Sequence, residues 1–141
     1  MFEAIRNWFK NLHHLPEAQM AEFRAEGLLF VNEWSKAKLT YRNFKAPGKR
    51  FLYKTVWFKS NLVVTEKRVF ATAYTKLSIN VPFADERIKK MNFGVDDDRL
   101  LISFDAGLFQ EKWSGTLEYR FLVENPSMVA LQINERVGAN G

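Results

Sequence analysis

The sequence predicts a mainly β fold of about seven antiparallel strands, forming a barrel or sandwich capped by a C-terminal α-helix, with one or two short helices in front. Three observations carry this expectation. Between Gly27 and Val123, β-forming segments recur at short, regular intervals between turn residues. After them comes one segment with an apolar stripe at helical spacing and its own start and stop signals. Before them, residues 1–26 carry a helical rather than a strand period.

Phe2, Ile5, Trp8, Phe9 and Leu12 fall on one face of a helix, and Glu3, Arg6, Asn7 and Lys10 on the other. This face is an expected interface, toward a membrane, its own domain or a sister subunit. Pro16 suits the start of a second helix and Gly27 its end. Residues 1–26 are therefore read as a helical extension and 27–141 as the β domain. Leu28 to Lys45 is the first strand, with Ala37, Leu39 and Tyr41 alternating against Lys36, Lys38, Thr40 and Arg42. Ala46-Pro47-Gly48 signals the turn, and Arg50 to Ser60 the return strand. There Phe51, Tyr53 and Trp57 are expected to face the core, with a turn at Ser60-Asn61. Leu62–Val64, Val69–Tyr74 and Leu77–Val81 follow as short strands. Residues 88–95 and 99–105 form a hairpin across Asp96-Asp97-Asp98, and Thr116–Val123 is the last strand. Asn125 then caps a helix over 125–137, with Pro126 in its first turn and Met128, Val129, Leu131, Ile133 and Val137 as its apolar stripe.

The chain has 141 residues, 47% of them hydrophobic, which is enough for one core without staples. Cysteine is absent, which excludes disulfides, thiolate metal sites and a cysteine nucleophile. The apolar runs are far shorter than the roughly 20 residues of a membrane span, and the start lacks the apolar core of a secretory signal. The expected location is cytoplasmic, peripheral at the inner membrane face if the protein meets lipid.

Charge is distributed unevenly. The chain carries +5 overall, yet residues 33–68 alone carry +8, from ten bases and two acids. A basic stripe of this kind points to an anionic partner or to lysines guarding a strand edge. The candidate anion-binding residues are Lys36, Lys38, Arg42, Lys45, Lys49, Arg50 and Lys54. No catalytic set, metal site or cofactor motif is expected. Asp96–Asp98 lack the alternating ligands of a calcium loop. His13 and His14, the only histidines, project about 100° apart on a helix. Trp113-Ser114-Gly115 lacks the flanking glycine of a nucleophile elbow. Nucleic acid is the less favoured partner, because most of the aromatic residues on the basic strands are expected inside.

Leu62-Val63-Val64-Thr65-Glu66-Lys67-Arg68-Val69-Phe70 resembles the Leu-x-Leu-Thr-x-x-Arg-Leu pattern of bacterial pleckstrin-homology-like (PH-like) domains and the related GRAM domains. Phe104-Asp105-Ala106, Trp113 to Phe121, and Tyr41-Arg42 with Ala46-Pro47-Gly48 look similar to an uncharacterised bacterial PH-like family. Seven strands followed by one helix is also the element order of that superfold. The resemblance covers roughly residues 27–137. It implies a non-enzymatic binding or scaffolding module. It also implies head-group binding by bases on the first two strands and their loop, although Leu52 stands where the fuller pattern has a second arginine. Members of this class also form homo-oligomers and bind protein partners, here through a strand edge and the N-terminal helix.

Overall fold

The computed structural model describes residues 15–139. The expected first helix and its face of Phe2, Ile5, Trp8, Phe9 and Leu12 lie outside the described residues, as do both histidines. The elements are helix α1 (Glu17–Ala25), strands β1 (Leu28–Ala46), β2 (Lys49–Thr65), β3 (Arg68–Ala73) and β4 (Lys76–Pro82), a 3-10 turn (Glu86–Lys90), β5 (Asn92–Asp96), β6 (Arg99–Asp105), a second 3-10 turn (Ala106–Leu108), β7 (Ser114–Phe121) and helix α2 (Pro126–Ala139).

All seven strands form one antiparallel sheet in the order β4-β3-β2-β1-β7-β6-β5. The sheet is open, with β4 and β5 as its edges. Its inner face carries one core, including Ala37, Val64, Val69, Leu100, Ile102 and Phe121. Helix α2 adds Val129, Ala130 and Ile133 to that core. Its Asn125 cap accepts the Met128 N–H at 3.3 Å. The same helix covers the β5 edge, where Asn134 Nδ2 donates to the Phe93 carbonyl at 2.9 Å.

Two expected boundaries move. Ser60-Asn61 is not a turn, because β2 runs unbroken from Lys49 to Thr65. Both residues are buried, and Asn61 serves a bulge in β1. Trp34 stands there at φ 49°, and its N–H donates to Asn61 Oδ1 at 2.8 Å. A bulge leaves a backbone donor off the ladder, and the asparagine side chain satisfies it. Likewise the strand expected over 88–95 begins only at Asn92, after a 3-10 turn. That turn is started by Asp85, which accepts the Arg87 N–H at 2.9 Å. A polar cap of this kind outcompetes the weak strand preference of its charged sequence.

The turns elsewhere follow local chemistry. Asp97 and Asp98 occupy left-handed positions, φ 50° and 62°, between the paired residues Asp96 and Arg99. That is the two-residue hairpin turn of the primed type. Gly115, at φ 101°, lies so close to β1 that a Cβ would sit 2.5 Å from the Asn43 carbonyl oxygen. Only glycine meets both conditions.

The Thr65-x-x-Arg68 segment ties α1 to the sheet. Thr65 Oγ1 accepts the N–H groups of Lys67 and Arg68, at 3.0 and 3.1 Å, and donates to Glu26 Oε1 at 2.9 Å. Arg68 grips Glu26 with two bonds, Nε to Oε1 at 3.0 Å and Nη2 to Oε2 at 2.8 Å, and its guanidinium lies over Phe23. Phe23 itself is fully buried with Met20, Val63 and Phe70 in a second, smaller cluster.

Candidate functional site: the β1–β2 hairpin

β1 and β2 pair from Leu28/Thr65 to Ala46/Lys49, making a hairpin much longer than the other strands. Beyond Leu62–Val64, where β2 pairs with β3, its outer edge over residues 49–58 has no strand neighbour among the described residues. The β-branched and aromatic residues of both strands favour the extended form, and turn residues Pro47 and Gly48 join them.

The seven candidate bases do not form one stripe. Arg42 is neutralised: its Nε donates to Glu118 Oε1 at 3.0 Å, and it lies 5.2 Å from the Tyr53 ring centroid. Glu118 also takes Arg120 Nη1 at 3.1 Å, while Arg120 Nε reaches Asp96 Oδ2 at 2.8 Å. Burial works against ionising Glu118, but the bonds from Arg42 and Arg120 outweigh it and hold its carboxyl below the ordinary glutamate range. This chain of charges spans β5, β7 and β1 and divides the remaining cations in two.

At the tip stand Lys45, Lys49 and Arg50, with Lys54 lying against Phe51, 4.3 Å from its ring centroid. Lys45 faces Arg50 directly across the strands. Near the base stand Lys36 and Lys38, with Lys36 facing Lys59. Lys36 and Lys45 are nine residues apart on β1, roughly 30 Å at about 3.3 Å per residue, and Lys54, opposite Tyr41, stands between the two ends. Like charges placed directly opposite are unfavourable, and none of these lysines, nor Arg50, has an ion pair among the described residues.

The expectation that Phe51, Tyr53 and Trp57 face the core holds for Phe51 alone. Phe51 packs on Tyr41 and Phe44, at 5.5 and 5.9 Å between ring centroids. Tyr53 is 63% exposed, Trp57 54% and Leu52 79%. Beyond Leu62–Val64 β2 has no β3 beside it, and Tyr53 and Trp57 are not part of the core that Phe51 packs against. The Trp57 ring carries the Lys38 ammonium at 5.2 Å.

Sequence reasoning missed a groove of about 520 Å3 at the base, lined by Lys36, Trp57, Phe58, Lys59, Tyr74 and Arg99. Arg99 comes from the start of β6 and Tyr74 from the turn after β3. Nothing in the linear sequence brings them to Lys36. A second cavity, about 410 Å3, opens beside the free β4 edge and is lined mainly by Ile79, Val81, Phe104, Phe109, Trp113 and Tyr119. Ser78 and Tyr119 are joined there by a 3.0 Å hydroxyl bond, and burial pushes the Tyr119 phenol above its ordinary range.

Among the described residues no cluster of metal-ligating side chains occurs, and Asp96 is engaged by Arg120. No described helix is long and apolar enough to cross a membrane. No protein-family model matches the chain. No curated protein matches it significantly.

Proposed function

We propose that this chain is a non-enzymatic binding module of the PH-like class that meets an anionic lipid surface with its β1–β2 hairpin. The class rests on the order of seven antiparallel strands and a C-terminal helix, together with the Thr65-x-x-Arg68 pattern. The binding role rests on one observation above the others. The hairpin tip carries Lys45, Lys49 and Arg50 without counter-ions among the described residues, beside an exposed Leu52 and an exposed Tyr53. Unneutralised cations next to apolar and aromatic side chains suit the boundary between water and lipid, where charge meets head groups and apolar groups leave water.

Flotation of the full chain with vesicles tests this. Phosphatidylserine-containing vesicles are expected to carry the protein at low salt and less of it at physiological salt, because surface charges are screened over about 8 Å there. Neutral phosphatidylcholine vesicles are expected to leave it unbound. Equal binding to both, or to neither at any salt, overturns the reading.

The open β2 edge over 49–58 favours a second reading, a homo-oligomer or a protein partner joined by strand addition. It predicts a concentration-dependent mass in light scattering that salt does not reduce, and no vesicle binding.

A further inference from the structure

We propose that the groove formed by Lys36, Lys59 and Arg99 between Trp57 and Tyr74 is a binding site for a phosphomonoester group. The proposal rests on the anion-binding reading above and gives the basal cluster its own ligand, separate from the tip.

Four observations lead there. First, three cations from three strands converge on one concavity of about 520 Å3, and among the described residues no carboxylate lines it. Second, Lys36 and Lys59 are directly opposite across β1 and β2. Their ammonium groups repel each other, and an anion between them turns that repulsion into attraction. Third, the carboxylate facing Arg99 across the β5–β6 hairpin is Asp96, and Arg120 has taken it. Arg99 Nη1 is shielded from water and has no hydrogen-bond partner among the described residues. A guanidinium nitrogen without an acceptor is costly to shield, and Arg99 has no ion pair among the described residues that offsets its charge. Fourth, the walls are aromatic. Trp57 holds Arg99 5.4 Å from its ring centroid, and Tyr74 stands across the groove with its hydroxyl 3.5 Å from the Trp57 carbonyl. They restrict the cations while leaving them partly exposed.

A phosphomonoester suits this site because it carries close to two negative charges and three acceptor oxygens, matching three cationic donors. A nucleic-acid strand suits it less. The Trp57 ring already carries Lys38 and Arg99, so it offers no bare platform for a base.

The test has a free and a lipid arm, both on the full chain. Glycerol 3-phosphate is titrated while amide and indole resonances are followed by NMR. Saturable shifts centred on Trp57, Lys59, Tyr74 and Arg99 are expected. Lys59→Gln and Arg99→Gln are each expected to weaken binding by about tenfold, the loss of one charge-assisted bond. Lys45→Gln with Lys49→Gln is expected to leave it unchanged. Lys59→Gln removes a like-charge contact, so its effect cannot come from unfolding. In the lipid arm, vesicles with phosphatidic acid are compared with phosphatidylserine vesicles of matched charge. Preference for phosphatidic acid that Lys59→Gln removes, alongside glycerol 3-phosphate binding, identifies the phosphate as a lipid's. Glycerol 3-phosphate binding without that preference identifies a soluble ligand. Linear, non-saturating shifts, shifts centred on Lys45–Arg50, or indifference to both groove variants overturn the proposal. Phosphatidylserine binding that depends on the tip alone would survive that result, so the two readings fail separately.

Discussion

Replacing Lys45, Lys49 and Arg50 together by glutamine separates the tip from the rest of the basic strands. Each unneutralised cation near an anionic leaflet contributes about 1 kcal/mol, or roughly fivefold in affinity. Loss of three therefore predicts a fall of about 100-fold in vesicle partitioning. Arg42→Gln removes one charge of the same sign from β1, but Arg42 is held by Glu118 and stands several residues from the tip. Paired, and more than a Debye length of about 8 Å from the surface, it predicts a change of less than about twofold. The triple variant also serves as its own folding control. Lys45 faces Arg50 across the strands, so neutralising both relieves a repulsion worth about 0.2–1 kcal/mol, and the melting temperature is expected to hold or rise. The assay is partitioning onto phosphatidylserine vesicles at physiological salt, beside a thermal melt of each variant. If Arg42→Gln loses about fivefold, as much as each tip cation, a diffuse positive field is responsible and the division into two clusters has no functional meaning. If the triple variant keeps its affinity within about threefold, the tip is not the contact.

Two further predictions concern the frame that positions the hairpin. Glu26→Gln leaves the largely buried Arg68 guanidinium without its two-bond partner, and a cost of about 2 kcal/mol is expected in chemical denaturation, between the surface and fully buried limits. Arg24→Ala, which breaks only an exposed pair with Glu17, is expected to cost less than about 0.5 kcal/mol, and equal effects would refute the anchoring role of Arg68. Glu118 has a depressed carboxyl pKa in the folded protein, so its stabilising contribution is fully present above the ordinary glutamate value of about 4.3 and is lost as pH falls through the lower folded value. Unfolding of the parent chain and of Glu118→Gln is therefore expected to differ in stability by a constant amount at neutral pH. The difference should vanish in acid, and a constant difference down to pH 2 would refute it.

Local chemistry made much of the fold legible in the sequence. The strand texture, the Pro47-Gly48 and Asp97-Asp98 turns, the Gly27 stop and the Asn125-Pro126 helix start each depend on residues a few positions apart. Turn and cap preferences act at that range. Asn61 was misread for the same reason. Next to serine it looks like a turn, and only the β1 bulge at Trp34, 27 residues away, gives its amide another use.

The candidate site divides along the same line. The excess of bases over residues 33–68 is a property of the sequence, and the proposal of an anionic partner starts from it. Which bases are paired and which are brought together was decided by tertiary structure. Arg42 was withdrawn by Glu118 from β7, Arg99 was brought to Lys36 and Lys59 from β6, and Tyr53 and Trp57 were left exposed because β3 stops short of them. The physical reason is that charge composition is additive along a chain, whereas neutralisation and burial depend on neighbours. Glu118 lies 76 residues from Arg42, and Arg99 lies 40 from Lys59 and 63 from Lys36, and they become neighbours only when the strands pair.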